Sequence, residues 1–288
     1  MKAEELVKAL GGRWCGSYGV ARCPGHRDKT PSLSVKEGSG GVLLVHCHAG
    51  CPQEAVINEL RRRGLWSNRR HDGARVPRRD QCGGDESRNE RNIELARELW
   101  RDSRPAQGTP VEKYLRGRQI TMPIPASLRF HHGLKHTPTG LDFPAMVAAI
   151  QGSDGKISGV HRTFLQPGGR GKANVLTPKM SLGKCRGGAV RFAAAAHTLA
   201  VGEGIETCLA VMQESGIPAW AALSTSGLKA VVLPAKVREV VILADGDCPG
   251  ESAAQDAARR FLDQGQEVRI ARPPAGKDFS DMLNGAAS

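Results

Sequence analysis

Two pairs of metal-ligand residues constrain the N-terminal part of this chain more tightly than anything else in it. Cys23-Pro-Gly-His26 puts a thiol and an imidazole on one tight turn, and Cys47-His-Ala-Gly-Cys51 supplies two further thiols after a stretch that reads as a hairpin. Ligands paired on two knuckles give the closed tetrahedral shell of a structural zinc. Such a site provides on the order of 10 kcal/mol of folding free energy, which a segment this small needs. His46 and His48 flank Cys47, and each is an alternative to Cys51. Neighbouring residues on a strand point to opposite sides, which argues against that exchange. The other cysteines, Cys15, Cys82, Cys185, Cys208 and Cys248, are scattered and read as reduced, mostly structural thiols.

The module so defined covers 1–66. It opens on a short helical pattern (Leu6, Val7, Leu10), carries a strand at 31–35 and closes on a helix over 52–63 that Pro52 starts. Residues 67–92 hold almost no apolar side chains and many charges, so burial cannot offset the entropy of ordering them, and a flexible basic linker is expected. A helix over 93–102 follows, with Ile93, Ala96, Leu99 and Trp100 on one face. The region 93–196 is punctuated by Gly and Pro and has alternating runs at 145–150 and 157–163 around a Ser153-Asp154-Gly155 turn, which makes it α+β.

Beyond residue 196 the rhythm becomes strand, helix, strand, helix. Strands are expected at 198–201, 219–223, 240–243 and 268–271, and helices at 206–215 and 250–264. Continuous apolar strands alternating with helices predict a Rossmann-like parallel sheet covered on both faces, an α/β domain over 197–288.

This α/β part carries the acids. Leu199-Ala-Val-Gly-Glu203-Gly204 places a carboxylate at the end of a buried strand, followed by a glycine that lets backbone approach a ligand. Val240-Val-Ile-Leu-Ala-Asp245-Gly-Asp247 repeats the arrangement one unit later, and Gly276-Lys277-Asp278-Phe-Ser-Asp281 follows the last strand. Carboxylates converging at the carboxyl edge of a parallel sheet make a hard oxygen site suited to magnesium. Glu203 is open to two roles, metal ligand or general base. Asp245 and Asp247 are equally readable as a loop capping the next helix.

The 41 Lys and Arg against 29 Asp and Glu give a formal charge of +12, which favours a polyanionic partner. Aromatic residues make up only 4% of the chain, so phosphate contacts and a shaped groove are favoured over a platform of stacked bases. No apolar run approaches the roughly 18 residues of a membrane span, and a cytoplasmic location is expected.

Three resemblances sharpen these readings. The segment CPGHRDKTPSLSV with VHCHAGC resembles the zinc ribbon of bacterial and phage-type primases, with three rather than two residues between its last two cysteines. That resemblance implies a zinc ribbon that binds nucleic acid. Val-Gly-Glu203-Gly-Ile-Glu206, then Ile-Leu-Ala-Asp245-Gly-Asp247, then Gly-Lys277-Asp278-Phe-Ser-Asp281 resemble the Toprim domain shared by primases, topoisomerases and some nucleases. The resemblance makes Glu203 the invariant acid, Asp245 and Asp247 the metal acids, and Asp278 the acid of the Lys-Asp motif. It departs at Thr207, where primases often have an acid, and leaves open whether Glu206 takes its place. The blocks YLRGRQI, GVHRTFL and KMSLG also resemble phage and plasmid primase-like proteins. Charge and position beside turns make Arg116, Arg118, His161, Arg162, Lys172 and Lys179 candidates for phosphate contacts, with Arg162 and Lys179 foremost and Lys277 in the C-terminal cluster.

A topoisomerase needs a tyrosine nucleophile, and Tyr18 and Tyr114 are the two on offer. A Walker-type loop is absent, so a helicase working with this protein would be a separate chain. The expected activity is ribonucleotidyl transfer on a single-stranded DNA template, using ribonucleoside triphosphates, magnesium and zinc. The alternatives are a non-catalytic recombination mediator and a Toprim nuclease.

Overall fold

The computed structural model describes residues 2–15, 18–28, 31–38, 42–47, 49–66, 82–244, 248–273 and 279. The chain divides into two compact units, one of Met1–Arg79 with Thr137–Gly140 and the other of Asp80–His136 with Leu141–Ser288.

The first unit runs α1 (Ala3–Ala9), β1 (Arg13–Trp14), β2 (Gly19–Ala21), β3 (Leu33–Glu37), β4 (Leu43–Cys47) and α2 (Gln53–Arg62). Its strands form an antiparallel sheet in sequence order. Leu6 and Val7 of α1, Leu33 and Val35 of β3, and Val56 and Leu60 of α2 are buried together with Cys23 and Cys47. The core is therefore small and partly built from the ligand residues themselves. Pro52 stands at the N-cap of α2 rather than inside its first turn, a position where its missing N–H costs nothing.

The second unit runs α3 (Cys82–Asp102), β5 (Arg104–Pro105), α4 (Pro110–Arg116), β6 (Leu128–Lys135), β7 (Asp142–Gln151), β8 (Ile157–Phe164), β9 (Lys179–Gly183), β10 (Ala189–Arg191), β11 (Thr198–Gly202), α5 (Ile205–Ser215), β12 (Ala219–Ala221), α6 (Thr225–Ala230), β13 (Glu239–Leu243), α7 (Cys248–Asp263) and β14 (Glu267–Ala271). Strands β14, β13, β11 and β12 are parallel neighbours in that order. The antiparallel pairing of β10 with both β12 and β7 then carries the same sheet on into the antiparallel β6–β9 region. The α+β part and the parallel part thus share one mixed sheet.

Alternation along the strands separates the two faces of this sheet. Ala200, Met146 and Ile150 pack with Tyr114 and Leu115 of α4 and Ile205 and Leu209 of α5. Leu199, Val201, Val240 and Ile242 pack on the opposite side against Leu228 of α6 and Ala254, Ala257 and Phe261 of α7. Helices cover both faces, as the continuous apolar strands require.

Two boundaries differ materially from expectation. The helix expected from residue 93 begins at Cys82, inside the stretch read as a linker; its N-terminal turns extend a helix that Ala96, Leu99 and Trp100 anchor in the core. Residues 67–81 of that linker lie outside the described residues. The strand expected at 219–223 stops at Ala221, because Leu223 turns to a φ of 70° and Ser224 caps α6, its hydroxyl accepting from the Gly227 N–H at 3.0 Å. Two short helices, α4 and α6, were not anticipated at all.

Candidate metal cluster and phosphate-facing site

In the first unit the donor atoms of Cys23, His26, Cys47 and Cys51 all lie within 4.8 Å of one another. His26 Nδ1 is 3.2 Å from Cys51 Sγ and 3.9 Å from Cys47 Sγ. A tetrahedral ion with sulfur at 2.3 Å holds its ligands roughly 3.5–3.8 Å apart, so these spacings fit zinc. The additional residue between Cys47 and Cys51 is accommodated at Gly50, which has a φ of 95° and donates its N–H to the Cys47 carbonyl at 3.3 Å. His46 is exposed on β4 while Cys47 beside it is buried, which separates His46 from the cluster. His48 lies outside the described residues.

Burial pushes the Cys23 thiol up to about 12, and the neighbouring Cys47 and Cys51 add to the shift. Crowded thiols of this kind ionise together only around a cation.

Asp28 completes the cluster from behind, and the ligand count alone does not find it. Its Oδ1 lies 3.5 Å from His26 Nε2, the ring nitrogen opposite the one facing the thiols. Its Oδ2 accepts from the Cys23 N–H at 2.8 Å and from the Ser32 hydroxyl at 2.7 Å. Burial alone would raise this carboxyl, but those donors hold it below the usual range. A carboxylate behind a ligating histidine fixes its tautomer and orientation. The sequence signal was the Asp and the Ser of the first knuckle.

In the second unit Glu203 follows the last residue of β11 and Gly204 is the N-cap of α5. The Glu203 carbonyl accepts from the Leu223 N–H at 3.0 Å, and the Gly202 carbonyl from the Ala222 N–H at 2.8 Å. These bonds fasten the carboxyl ends of β11 and β12 together, at the edge where parallel α/β sheets bind ligands. Asp245, Asp247, Lys277 and Asp278 lie outside the described residues.

The sequence left Glu206 open. It is 7% exposed in the first turn of α5, and its carboxylate gathers three groups from remote segments. The Tyr114 hydroxyl donates to Oε1 at 2.5 Å. Lys172 Nζ lies 3.4 Å from Oε1, and Lys179 Nζ lies 3.5 Å from Oε2. Burial by itself would raise the Glu206 carboxyl, but Lys179, Lys172 and the Tyr114 hydroxyl bring it down to about 2. Burial and the adjacent Glu206 charge push the Tyr114 phenol up. Tyr114 is therefore a buried hydrogen-bond donor, not an exposed nucleophile.

The other candidate cations separate. On β8 and β9, His161 pairs with Ser181 and Thr163 with Lys179, while Arg162 pairs with Met180. Paired residues share a face and successive ones alternate, so Lys179 and Arg162 emerge on opposite faces of the sheet. Arg162 donates to the Ser181 carbonyl at 3.2 Å and lies over Phe164. Arg116 donates to the carbonyls of Ile120 and Met122 at 2.6 and 3.0 Å and pairs with Glu112 at 3.0 Å, so it fastens the chain after α4.

His161 accompanies Lys179, with Nδ1 3.0 Å from the Ser181 hydroxyl. Burial first, and then the Lys179 charge, push it down to about 4, so it is neutral at pH 7 and brings no charge to a phosphate. Its folded value lies below the ordinary 6.5, so its contribution to stability is present above pH 6.5 and lost as pH falls towards 4. The loss reaches about 3 kcal/mol. The protection of amides in β7–β9, taken relative to unfolded-peptide rates at each pH, should fall more between pH 7 and 4.5 in the wild type than in His161→Gln. An equal fall in both would exclude this residue as the source.

Residues 198–287 match the family model of the Toprim domain, and the C-terminal part of the chain is a Toprim domain. Residues 90–192 match a domain of unknown function, DUF7146. No curated protein matches the chain. Among solved structures it is similar to a DNA primase domain from Pseudomonas aeruginosa, at 18% identity over 67% of this chain and 74% of that one, with a TM-score of 0.46. It is also similar to the DnaG primase catalytic domain bound to ssDNA, at 16% identity over 70% and 79%, with a TM-score of 0.49. The Aquifex aeolicus primase, comprising zinc binding and RNA polymerase domains, aligns at 15% identity over 99% and 80%, with a TM-score of 0.42.

Proposed function

We propose that the chain is a primase-like enzyme that joins ribonucleotides on a single-stranded DNA template, with zinc in the Cys23, His26, Cys47 and Cys51 cluster. The observation that carries this reading is the pair of ammonium groups, Lys172 and Lys179, held on Glu206 in the same α5 turn region that Glu203 opens. A Toprim nuclease needs the metal acids but no seat for a triphosphate, and a non-catalytic mediator needs neither. Nucleotidyl transfer needs both.

On this reading Glu203, Asp245, Asp247 and Asp278 hold magnesium. When bound, the ion neutralises phosphate charge and lowers the pKa of the attacking hydroxyl. Lys172 and Lys179 orient the triphosphate, and Lys277 adds a contact from the C-terminal segment. Arg162 serves the opposite face of the sheet, towards the template backbone. The formal charge of +12 favours association with a nucleic acid. The zinc module contacts the template strand, and a separate helicase opens the duplex. Among the described residues no helix is long and apolar enough to cross a membrane, which agrees with a cytoplasmic place of action.

Incubation with single-stranded DNA, magnesium and labelled ribonucleotides should yield short products that disappear in Asp245→Ala and Asp247→Ala. Template cutting in a lane without nucleotides would establish the nuclease instead. Binding without either product would establish the mediator.

A further inference from the structure

Glu206 has a feature that a structural acid does not require. Its two oxygens are shared among one phenol and two ammonium groups, drawn from Tyr114 on α4, from Lys172 in its bridge with Leu165 and from Lys179 on β9. One carboxylate faces two ammonium groups, so the cluster stays cationic after internal pairing. The lysine side chains are 27% and 40% exposed, whereas Glu206 itself is buried. Each ammonium has three donors, and one directed at Glu206 leaves others for an anion.

Resting on the priming reading above, we propose that Glu206 is a positioning residue that fixes Lys172 and Lys179 as a two-ammonium seat for the phosphate chain of the nucleotide. It stands one position before Thr207, the place in the chain where the resemblance would put a metal acid, but its oxygens are turned to cations of the protein.

The groups facing the seat are Tyr114 on α4, Arg118 just after it, His161 on β8, Lys179 on β9, Lys172 in its turn and Glu206 on α5. Burial lowers the Lys172 ammonium, and Glu206 opposes that shift. Glu206→Gln keeps the size and removes the charge, which leaves the burial of Lys172 uncompensated.

The test is calorimetric titration of the full chain with inorganic triphosphate from pH 7 to 10. The probe's own ionisation is common to every variant, so differences between variants belong to the protein. In Glu206→Gln the alkaline loss of affinity should begin about one pH unit lower than in wild type, which is tenfold weaker binding within that window. Adding Lys172→Arg, whose guanidinium stays charged, should remove that shift. Should Glu206→Gln fail to fold, Lys172→Arg in the wild-type background carries the same test, because it should flatten the alkaline loss.

Parallel pH curves for wild type and Glu206→Gln, or no triphosphate binding by wild type, would overturn the proposal. Binding needs neither template nor synthesis. A chain that shows the predicted shift yet makes no primer therefore supports the seat while removing the priming reading.

Discussion

Replacing Cys47 by serine, or stripping zinc with a chelator, is expected to unfold the N-terminal unit. Three of the four ligands belong to its core, since Cys23 and Cys47 are buried among Leu33, Val35, Val45, Val56 and Leu60 and Cys51 packs at their edge. The remaining apolar core is small for a four-stranded sheet with two helices. Loss of the ion would remove on the order of 10 kcal/mol. Amide exchange in β3, β4 and α2 should become as fast as in an unfolded peptide, and strands β11 and β13 serve as the internal reference. Zinc analysis of the purified chain should give one equivalent, falling to none in Cys47→Ser. Retained protection in β3 and β4 after chelation would show that the sheet stands without the metal.

A second large effect is expected at Gly169. Its φ of 76° is one that residues with a side chain rarely adopt, and a Cβ there would collide with the carbonyl of Pro110. Pro110 is the first residue of α4, which carries Tyr114. The Gly169 turn, closed by the bond from the Gln166 N–H to the Gly171 carbonyl at 2.9 Å, leads directly into Lys172. The close approach of these two backbones thus sets the distance between two of the groups that meet on Glu206. Gly169→Ala combines an unfavourable φ with a backbone collision and should cost about 3 kcal/mol or more. Gly168→Ala is the control, because Gly168 has a φ of 81° but open space where its Cβ would stand; it should cost about 1 kcal/mol. Chemical denaturation of the two variants measures the difference. Equal stabilities would mean that the Gly169–Pro110 contact yields without consequence.

What the sequence disclosed and what it withheld follow from the range of the interactions involved. The metal cluster was legible because its ligands come in pairs a few residues apart, and only the closing of the hairpin had to be supplied. The parallel strands β11, β13 and β14 were legible because buried strands leave continuous apolar runs, and α5 and α7 because each follows such a run at the interval a crossover needs. Helix α4 went unread although its signals were present: Thr109 accepts from the Val111 N–H at 3.2 Å as N-cap, and Pro110 follows at the first helical position. Seven residues are too few for periodicity to speak. Helix α6 is shorter still, and Gly227 inside it reads as a breaker.

The Glu206 cluster was withheld for a different reason. Tyr114 and Glu206 are 92 positions apart, and nothing local about a glutamate in the first turn of a helix tells whether it faces solvent, a metal or two lysines. Tyr114 drew attention as a nucleophile by its chemistry alone, and only its burial reassigns it. Arg162 and Lys179 were grouped by charge, whereas the register of β8 on β9 sends them to opposite faces. Conversely, the acids most firmly expected at the magnesium site, Asp245, Asp247 and Asp278, lie outside the described residues, so the reading of that edge rests on Glu203 and on the Toprim match.

The strand β10 has a bearing on how this chain can be dissected. Three residues, Ala189–Arg191, are hydrogen-bonded on one side to β7 and on the other to β12. A fragment cut at the family boundary, beginning near residue 197, would keep every parallel strand yet lose the cover of β12. Its backbone N–H and C=O groups at Ala219–Ala221 would then form a bare edge beside the buried Trp220, open to pairing with another molecule. Self-association of such a fragment would follow from the missing neighbour and would not report an oligomeric state of the intact chain. Work on the Toprim part alone should therefore begin upstream of Ala189, with β7 retained to hold β10 in place.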